Sequence, residues 1–337
     1  MQKKYLSLML CAALAATGLT ACGDSAQAAD HASNGKSLSI VCTIFPEYDW
    51  VKQILGDHAA NTDLTYLLDS GMDLHSYQPT APDMAKIAEC DLFVYVGGES
   101  DEWVGDALAE AVNPDMQVIN LLEVMGDAVK EEEVKEGMEH DHAHDEDHDE
   151  EDHDHEEEAE YDEHIWLSLR NAKTVCTEIA DRLSILDSAN KDDYKANLEA
   201  YTAELDRLDG DFKALTDGAK QKTLVFGDRF PFRYFADDYG LDYYAAFVGC
   251  SAETEASFET IVFLAEKTDA LGCGTVFTIE NSDHKIAQTI IDNTKEKNQK
   301  IAELNSMQSV TKDQIGGGVT YLSLMQSNYD VLKDALQ

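Results

Sequence analysis

The chain is poor in positive charge: 25 Lys and Arg stand against 67 Asp and Glu in 337 residues, a formal net charge of -42. A field of that sign repels nucleic acid and anionic lipid, so recognition of a polyanion through a basic patch is excluded. It favours solubility and attracts cations. Beyond its first residues the chain also lacks long apolar runs, and no internal stretch reaches the roughly 20 residues that a membrane-spanning helix needs. None of its seven cysteines belongs to a Cys-x-x-Cys pair, which removes zinc ribbons and thioredoxin-like redox motifs. There is no His-Glu-x-x-His pair and no nucleophile elbow, so the usual marks of a metalloprotease or a serine hydrolase are missing.

What is there belongs to a globular protein. Hydrophobic residues make up 44% and aromatics 8%, a share that can fill a core, and the length suits two domains of about 150 residues. Lys3 and Lys4 precede a short apolar stretch, Tyr5 to Ala16, which reads as an export signal. Leu19-Thr20-Ala21-Cys22 then resembles the bacterial lipobox, which implies cleavage of residues 1–21 and a lipid on Cys22. The expected location is extracytoplasmic, anchored to the cell membrane, with the polar segment 22–37 as a flexible tether. Five cysteines are left, Cys42, Cys90, Cys176, Cys250 and Cys273. Their default reading is as buried thiols, with room for one disulfide in an oxidising compartment.

Short apolar runs alternate with helical patterns, the rhythm of βα units. Strands are expected at Ile40–Phe45, Leu64–Leu68, Leu92–Val96 and Val118–Leu121, and again at Thr223–Phe226, Tyr243–Phe247 and Thr275–Ile279. Helices are expected at Tyr48–Leu55, Ala81–Ala88, Trp103–Ala111, Phe258–Lys267 and His284–Asn293. Between the two halves, Tyr194, Leu198, Tyr201, Leu205, Leu208, Phe212 and Leu215 recur every three or four residues, one stripe of a long helix. Such a stripe serves either a coiled-coil dimer or packing along the chain's own lobes, and the second is the commoner use. The expected fold is therefore α/β: an N-terminal lobe at 38–189, a connecting helix at 190–217 and a C-terminal lobe at 218–337.

Composition changes abruptly over 131–160. This segment holds 18 Asp or Glu, one Lys and six histidines: His140, His142, His144, His148, His153 and His155. With almost no apolar residues it is expected to be disordered. Imidazole-rich tracts bind zinc and copper, so loose auxiliary metal capture by these six is the preferred reading over a purely solvating charge run.

The most informative stretch is Gly71-Met72-Asp73-Leu74-His75-Ser76-Tyr77-Gln78-Pro79-Thr80, where a polar loop with one histidine leads into a helix start. Thr80 is the expected N-cap, with Asp83 as its partner. This segment resembles the G-x-x-x-H-x-Y-x-P-T motif of the zinc- and manganese-binding receptors of bacterial ABC importers, the cluster A-I family. Asp162-Glu163-His164-Ile165-Trp166-Leu167-Ser168 is similar to that family's D-P-H-x-W-L-S segment, with Glu163 in place of proline. The segment Tyr234–Leu241 resembles the stretch after the family's third ligand, but Arg229 stands at the ligand position, and guanidinium has no lone pair to offer. Val276–Asn281 looks like the strand end that supplies a glutamate in some zinc members.

The resemblance covers nearly all of 38–337. It implies two lobes joined by one helix, with a metal site in the cleft between them. It puts the ligand roles on His75, His164 and Glu280, with Asp228 as a substitute beside Arg229. It further implies a non-enzymatic, monomeric receptor that captures Zn2+ and passes it to an ABC permease and its ATPase, the His-rich insert lying beside the site. The alternatives are a Mn2+ receptor of the same family, a metal-buffering surface lipoprotein or adhesin, and a zinc hydrolase.

Overall fold

The computed structural model describes residues 37–139, 160–251 and 255–336. The expected signal peptide 1–21, Cys22, all of the tether but Ser37, and all six histidines of the insert lie outside the described residues.

The apolar runs form two parallel four-stranded sheets. In the first, β1 (Ser39–Cys42), β2 (Asp63–Tyr66), β3 (Leu92–Tyr95) and β4 (Gln117–Asn120) lie in the order β2-β1-β3-β4. In the second, β5 (Thr223–Phe230), β6 (Asp242–Val248), β7 (Thr275–Ile279) and β8 (Lys300–Leu304) lie in the order β6-β5-β7-β8. Every pairing is parallel. Parallel strands are covered by crossover helices on both faces, so their sequences read as unbroken apolar runs, and all five residues of β7 are buried. In each sheet the order doubles back once, between β1 and β3 and between β5 and β7. Ligands of open α/β sheets bind in the crevice that this reversal leaves at the carboxyl ends of the strands.

The connecting helix runs from Lys191 to Gly218, 28 residues, or about 42 Å at 1.5 Å per residue. Tyr194, Tyr201, Leu205, Leu208 and Phe212 on its stripe are buried. They face the helices Phe45–Leu55, Leu169–Leu186, Arg233–Tyr239 and Tyr321–Leu336 of the same chain. Phe212 meets Phe235, Tyr239 and Tyr329 with ring centroids 5.0, 5.2 and 5.4 Å away. The stripe is thus spent inside the molecule, which leaves no need for a coiled-coil partner.

Other links tie the lobes. Tyr321 opens the C-terminal helix by donating its N–H to Asp49 Oδ2 at 2.9 Å and its hydroxyl to the Trp166 carbonyl at 2.6 Å. The Trp166 indole N–H donates to the Ser306 carbonyl at 2.8 Å. One apolar cluster runs from the first sheet through the connecting helix to one face of the second, a continuity that opposes wide hinge opening.

Residues 131–139 and 160, expected within the disordered insert, are held in place. The Glu132 N–H donates to the Glu160 carbonyl at 2.8 Å, and the Glu139 N–H donates to the Ala246 carbonyl at 2.9 Å. Arg233 pairs with Glu133 at 2.9 Å. Backbone pairing and ion pairs, with Lys135 also reaching Asp242 and Glu136 reaching Lys267, supply here what the composition lacks in apolar surface. The helix Ala81–Glu89 begins as its sequence implies: the Thr80 side chain accepts from the Asp83 N–H, and Asp83 accepts back from the Thr80 N–H.

Candidate metal centre

His75 lies in a single tight turn, Leu74–Ser76, just after β2. Asp73 fixes that turn by accepting the His75 N–H on Oδ1 at 3.1 Å. The His75 Nδ1 is 2.7 Å from the Ser100 hydroxyl and 3.7 Å from Glu163 Oε2. His164 opens the turn Ile165–Leu167 and is fully buried against the Trp166 ring, centroids 5.1 Å apart. Asp162 Oδ1 accepts the His164 N–H at 2.9 Å and faces its Nδ1 at 3.1 Å.

The two Nε2 atoms are consequently aimed at each other, 3.2 Å apart. An Asp162 oxygen beside the His164 Nδ1, with Nε2 turned into the cleft, is the arrangement that outer carboxylate partners of metal-bound histidines make. Burial drives the His75 ring well below the usual histidine range, and neighbouring His164 and Arg229 add to this. A tetrahedral ion with metal–nitrogen bonds of about 2.0–2.1 Å holds two ligand nitrogens about 3.3 Å apart. The imidazole pair therefore has the spacing of two ligands.

A third ligand-type atom is close by. The Cys250 sulfur and one nitrogen from each ring lie within 4.8 Å of one another, and among the described residues this is the compact group suited to a metal. Cys250 follows β6, and its N–H donates to Glu132 Oε1 at 3.2 Å. Glu280 and Asp228 line the cleft that His75 also lines, but they are not in that group. Glu280 accepts from the Ser306 N–H at 2.6 Å, the Ser306 hydroxyl at 2.8 Å and the Gln308 N–H at 3.1 Å. Asp228 accepts from the Arg229 N–H at 2.9 Å and the Ile279 N–H at 3.4 Å. Both carboxylates are thus engaged with backbone, Glu280 with the loop after β8 and Asp228 with β5 and β7.

Arg229 crosses the cleft to pair with Asp73, and it also donates to Gln308 Oε1 at 3.2 Å and the Ser251 carbonyl at 3.4 Å. Glu163 is buried, accepting the Ser100 N–H on Oε1 at 2.9 Å, while Oε2 has no hydrogen-bond partner. A second cavity shares His75 and Cys250 and is walled by Glu99, Glu102, Glu132, Glu160 and Glu163. Cys250, expected as a buried thiol, is partly exposed, unlike the four other free cysteines of the described residues. The signal that points to it is its place, directly beyond an expected strand, where sites of parallel sheets assemble.

Two parallel-sheet lobes braced by one helix, with a facing imidazole pair in the cleft, define a two-lobed binding protein with a candidate cation site. More particularly, the chain belongs to the ZnuA family, zinc-uptake complex component A periplasmic, whose pattern matches residues 40–335. It is 33% identical over 332 residues to the zinc-binding lipoprotein AdcA of Streptococcus pneumoniae, covering 98% of this chain and 60% of that protein. It is 30% identical over 336 residues to the high-affinity zinc uptake system protein ZnuA of Bacillus subtilis, covering 100% of this chain and 99% of that one. The chain thus spans about three fifths of the AdcA relatives it matches. Among solved structures, it resembles the Zn(II)-bound ZnuA-like domain of Streptococcus pneumoniae AdcA, with a TM-score of 0.68 and 28% identity, covering 89% of this chain and 99% of that domain. The metal-dependent lipoprotein YcdH of Bacillus subtilis is similar at a TM-score of 0.69 and 27% identity, with coverage of 89% and 99%.

Proposed function

We propose that this chain captures Zn2+ outside the cytoplasmic membrane, in the cleft between its lobes, and delivers it to an ABC-type importer. The observation that carries the reading is the facing Nε2 pair of His75 and His164, 3.2 Å apart, with each Nδ1 turned to an oxygen. Family membership and the zinc-binding names of the relatives support zinc over manganese, as do imidazole ligands. The chain works as a monomeric solute-binding receptor, not as an enzyme. It is held to the membrane by a lipid on Cys22, and its partners are a permease and its ATPase.

Glu280 and Asp228 complete the shell only if their carboxylates leave the backbone donors that now hold them. His140, His142, His144, His148, His153 and His155 serve as auxiliary capture ligands, feeding the cavity that Glu132 and Glu160 line. The test is calorimetric titration of a chain in which those six are alanine. His75→Ala in that background weakens Zn2+ binding at least tenfold, since losing a ligand exceeds the usual effect of losing its supporting partner. Unchanged affinity overturns the assignment.

A further inference from the structure

We propose that Cys250 is the third protein ligand, binding as a thiolate beside the imidazoles of His75 and His164. The proposal rests on the zinc-receptor reading and gives that site its selectivity. With zinc–sulfur bonds of about 2.3 Å and zinc–nitrogen bonds of about 2.0–2.1 Å, tetrahedral ligands stand about 3.5 Å apart, sulfur to nitrogen. The sulfur and ring nitrogens already lie within 4.8 Å of one another, so closure asks for a shift of about 1 Å or a rotation about the cysteine Cα–Cβ bond.

Three features bring the Cys250 loop to that place. Gly249 packs flat against His164: a Cβ there would stand 3.0 Å from its Cε1, 3.2 Å from its Nδ1 and 3.0 Å from the Phe230 carbonyl. Arg229, which cannot ligate, donates to the Ser251 carbonyl at 3.4 Å while tied to Asp73, and so pins the loop one residue beyond the sulfur. Glu132 holds the Cys250 N–H from the other side at 3.2 Å. Arg229 thus anchors the loop that presents the sulfur.

Burial and then the Glu163, Glu132 and Asp162 charges hold the metal-free Cys250 thiol well above its usual range, so the surroundings suit a divalent ion, and coordination to the ion is what draws the proton off the sulfur. Glu163 is 2% exposed, lines the cavity shared by His75 and Cys250, and leaves Oε2 without a hydrogen-bond partner. Two neutral imidazoles and one thiolate leave a single positive charge on Zn2+, which this buried carboxylate offsets. On binding, the sulfur–hydrogen bond gives way to a sulfur–zinc bond and the proton leaves to solvent. Cys250 carries no disulfide. Soft thiolate favours zinc over manganese, which prefers oxygen, so Cys250 separates the two metals.

The test uses the chain with its six insert histidines replaced by alanine, loaded with Co2+ for absorption and with Zn2+ for X-ray absorption. The expected result is a sulfur-to-cobalt charge-transfer band and one sulfur neighbour of zinc. Both are lost in Cys250→Ser and kept in Cys273→Ser. Cys250→Ser also weakens Zn2+ at least tenfold and leaves weak Mn2+ binding unchanged, with an unaltered melting temperature of the metal-free protein. If Zn2+ is bound through His75 and His164 with no sulfur neighbour, the cysteine ligand is overturned and the receptor reading stands. If His75→Ala leaves Zn2+ binding untouched, the receptor site itself fails.

Discussion

Arg229 on β5 reaches across the cleft to Asp73, beside His75, so that a cation of one lobe and a carboxylate of the other meet at the edge of the imidazole pair. Their side chains are 15% and 19% exposed, enough enclosure for the pair to matter more than a surface salt bridge. Asp73 has two duties: Oδ1 sets the His75 turn and Oδ2 neutralises Arg229.

Asp73→Asn separates those duties, because the amide oxygen still accepts the His75 N–H while the charge is gone. Arg229 is then left uncompensated near a cation site. The expected cost is about 1–2 kcal/mol of stability, or about 2–3 °C in melting temperature for a body of this size. Zn2+ affinity should fall about fivefold from added repulsion, more at low salt than at high salt. Calorimetry that finds the same affinity at both salt concentrations would falsify the electrostatic role.

Gly98 bears on the same site from beneath. It has φ +80° and ψ -164°, a combination open essentially to glycine alone. A Cβ would stand 2.4 Å from Glu163 Oε1 and 2.8 Å from its Cγ. Gly98→Ala should cost about 1–3 kcal/mol, seen as a lower urea midpoint with unchanged slope. Because Glu163 and Ser100 flank the His75 Nδ1, it should also weaken Zn2+ binding. A variant as stable and as tight as the parent would show that the loop moves freely.

The parallel sheets were legible because strands buried on both faces are continuous apolar runs, as in Leu92–Val96 and Thr275–Ile279. Strand β8 was not: Lys300-Ile-Ala-Glu-Leu puts charge in an edge strand whose residues are mostly half-buried or exposed. The helices Leu169–Leu186 and Tyr321–Leu336 were missed as well, since polar residues fill the intervals between their buried positions. At the site, His75 and His164 each sit in a contiguous motif and could be read along the chain. Cys250 could not, because its meaning depends on the segments after β2, β4 and β6 converging, and sequence order does not display that. The carboxylates of Glu280 and Asp228 illustrate the converse: a strand-end position says nothing of which backbone donors hold the side chain.

The insert histidines and the cleft should separate by stoichiometry. Replacing the six by alanine leaves Glu132, Glu160 and the cavity they line in place. The expected outcome is fewer Zn2+ bound per chain, with the tightest site preserved within about threefold. The residual weak binding of the unmodified chain should fade below about pH 6.5 as free imidazoles protonate. Loss of the tight site together with the six histidines would make the insert the receptor and the lobes its scaffold.

Stability of the metal-free protein should depend on two carboxyls at the strand-order reversal of the first lobe. Glu47 is fully buried, with burial and then the Asp101 charge pushing it up to about 8. Its Oε2 accepts the Thr43 N–H at 2.9 Å, the Thr43 hydroxyl at 3.0 Å and the Ile44 N–H at 3.2 Å, while Oε1 has no partner. Asp101 is pushed up to about 7, mainly by burial. In the unfolded chain these groups titrate near 4.3 and 3.9, approximately. Folded, they keep protons that the unfolded chain gives up, so their contribution is full below about pH 4 and is lost as pH rises through about 7 and then 8. The melting temperature should therefore fall between pH 5 and pH 8. Glu47→Gln retains an acceptor oxygen for all three donors and carries no titrating group. It should match the parent near pH 5, exceed it by a few degrees at pH 8, and show a shallower decline between. Parallel melting curves for parent and variant across that range would place the pH dependence elsewhere in the molecule.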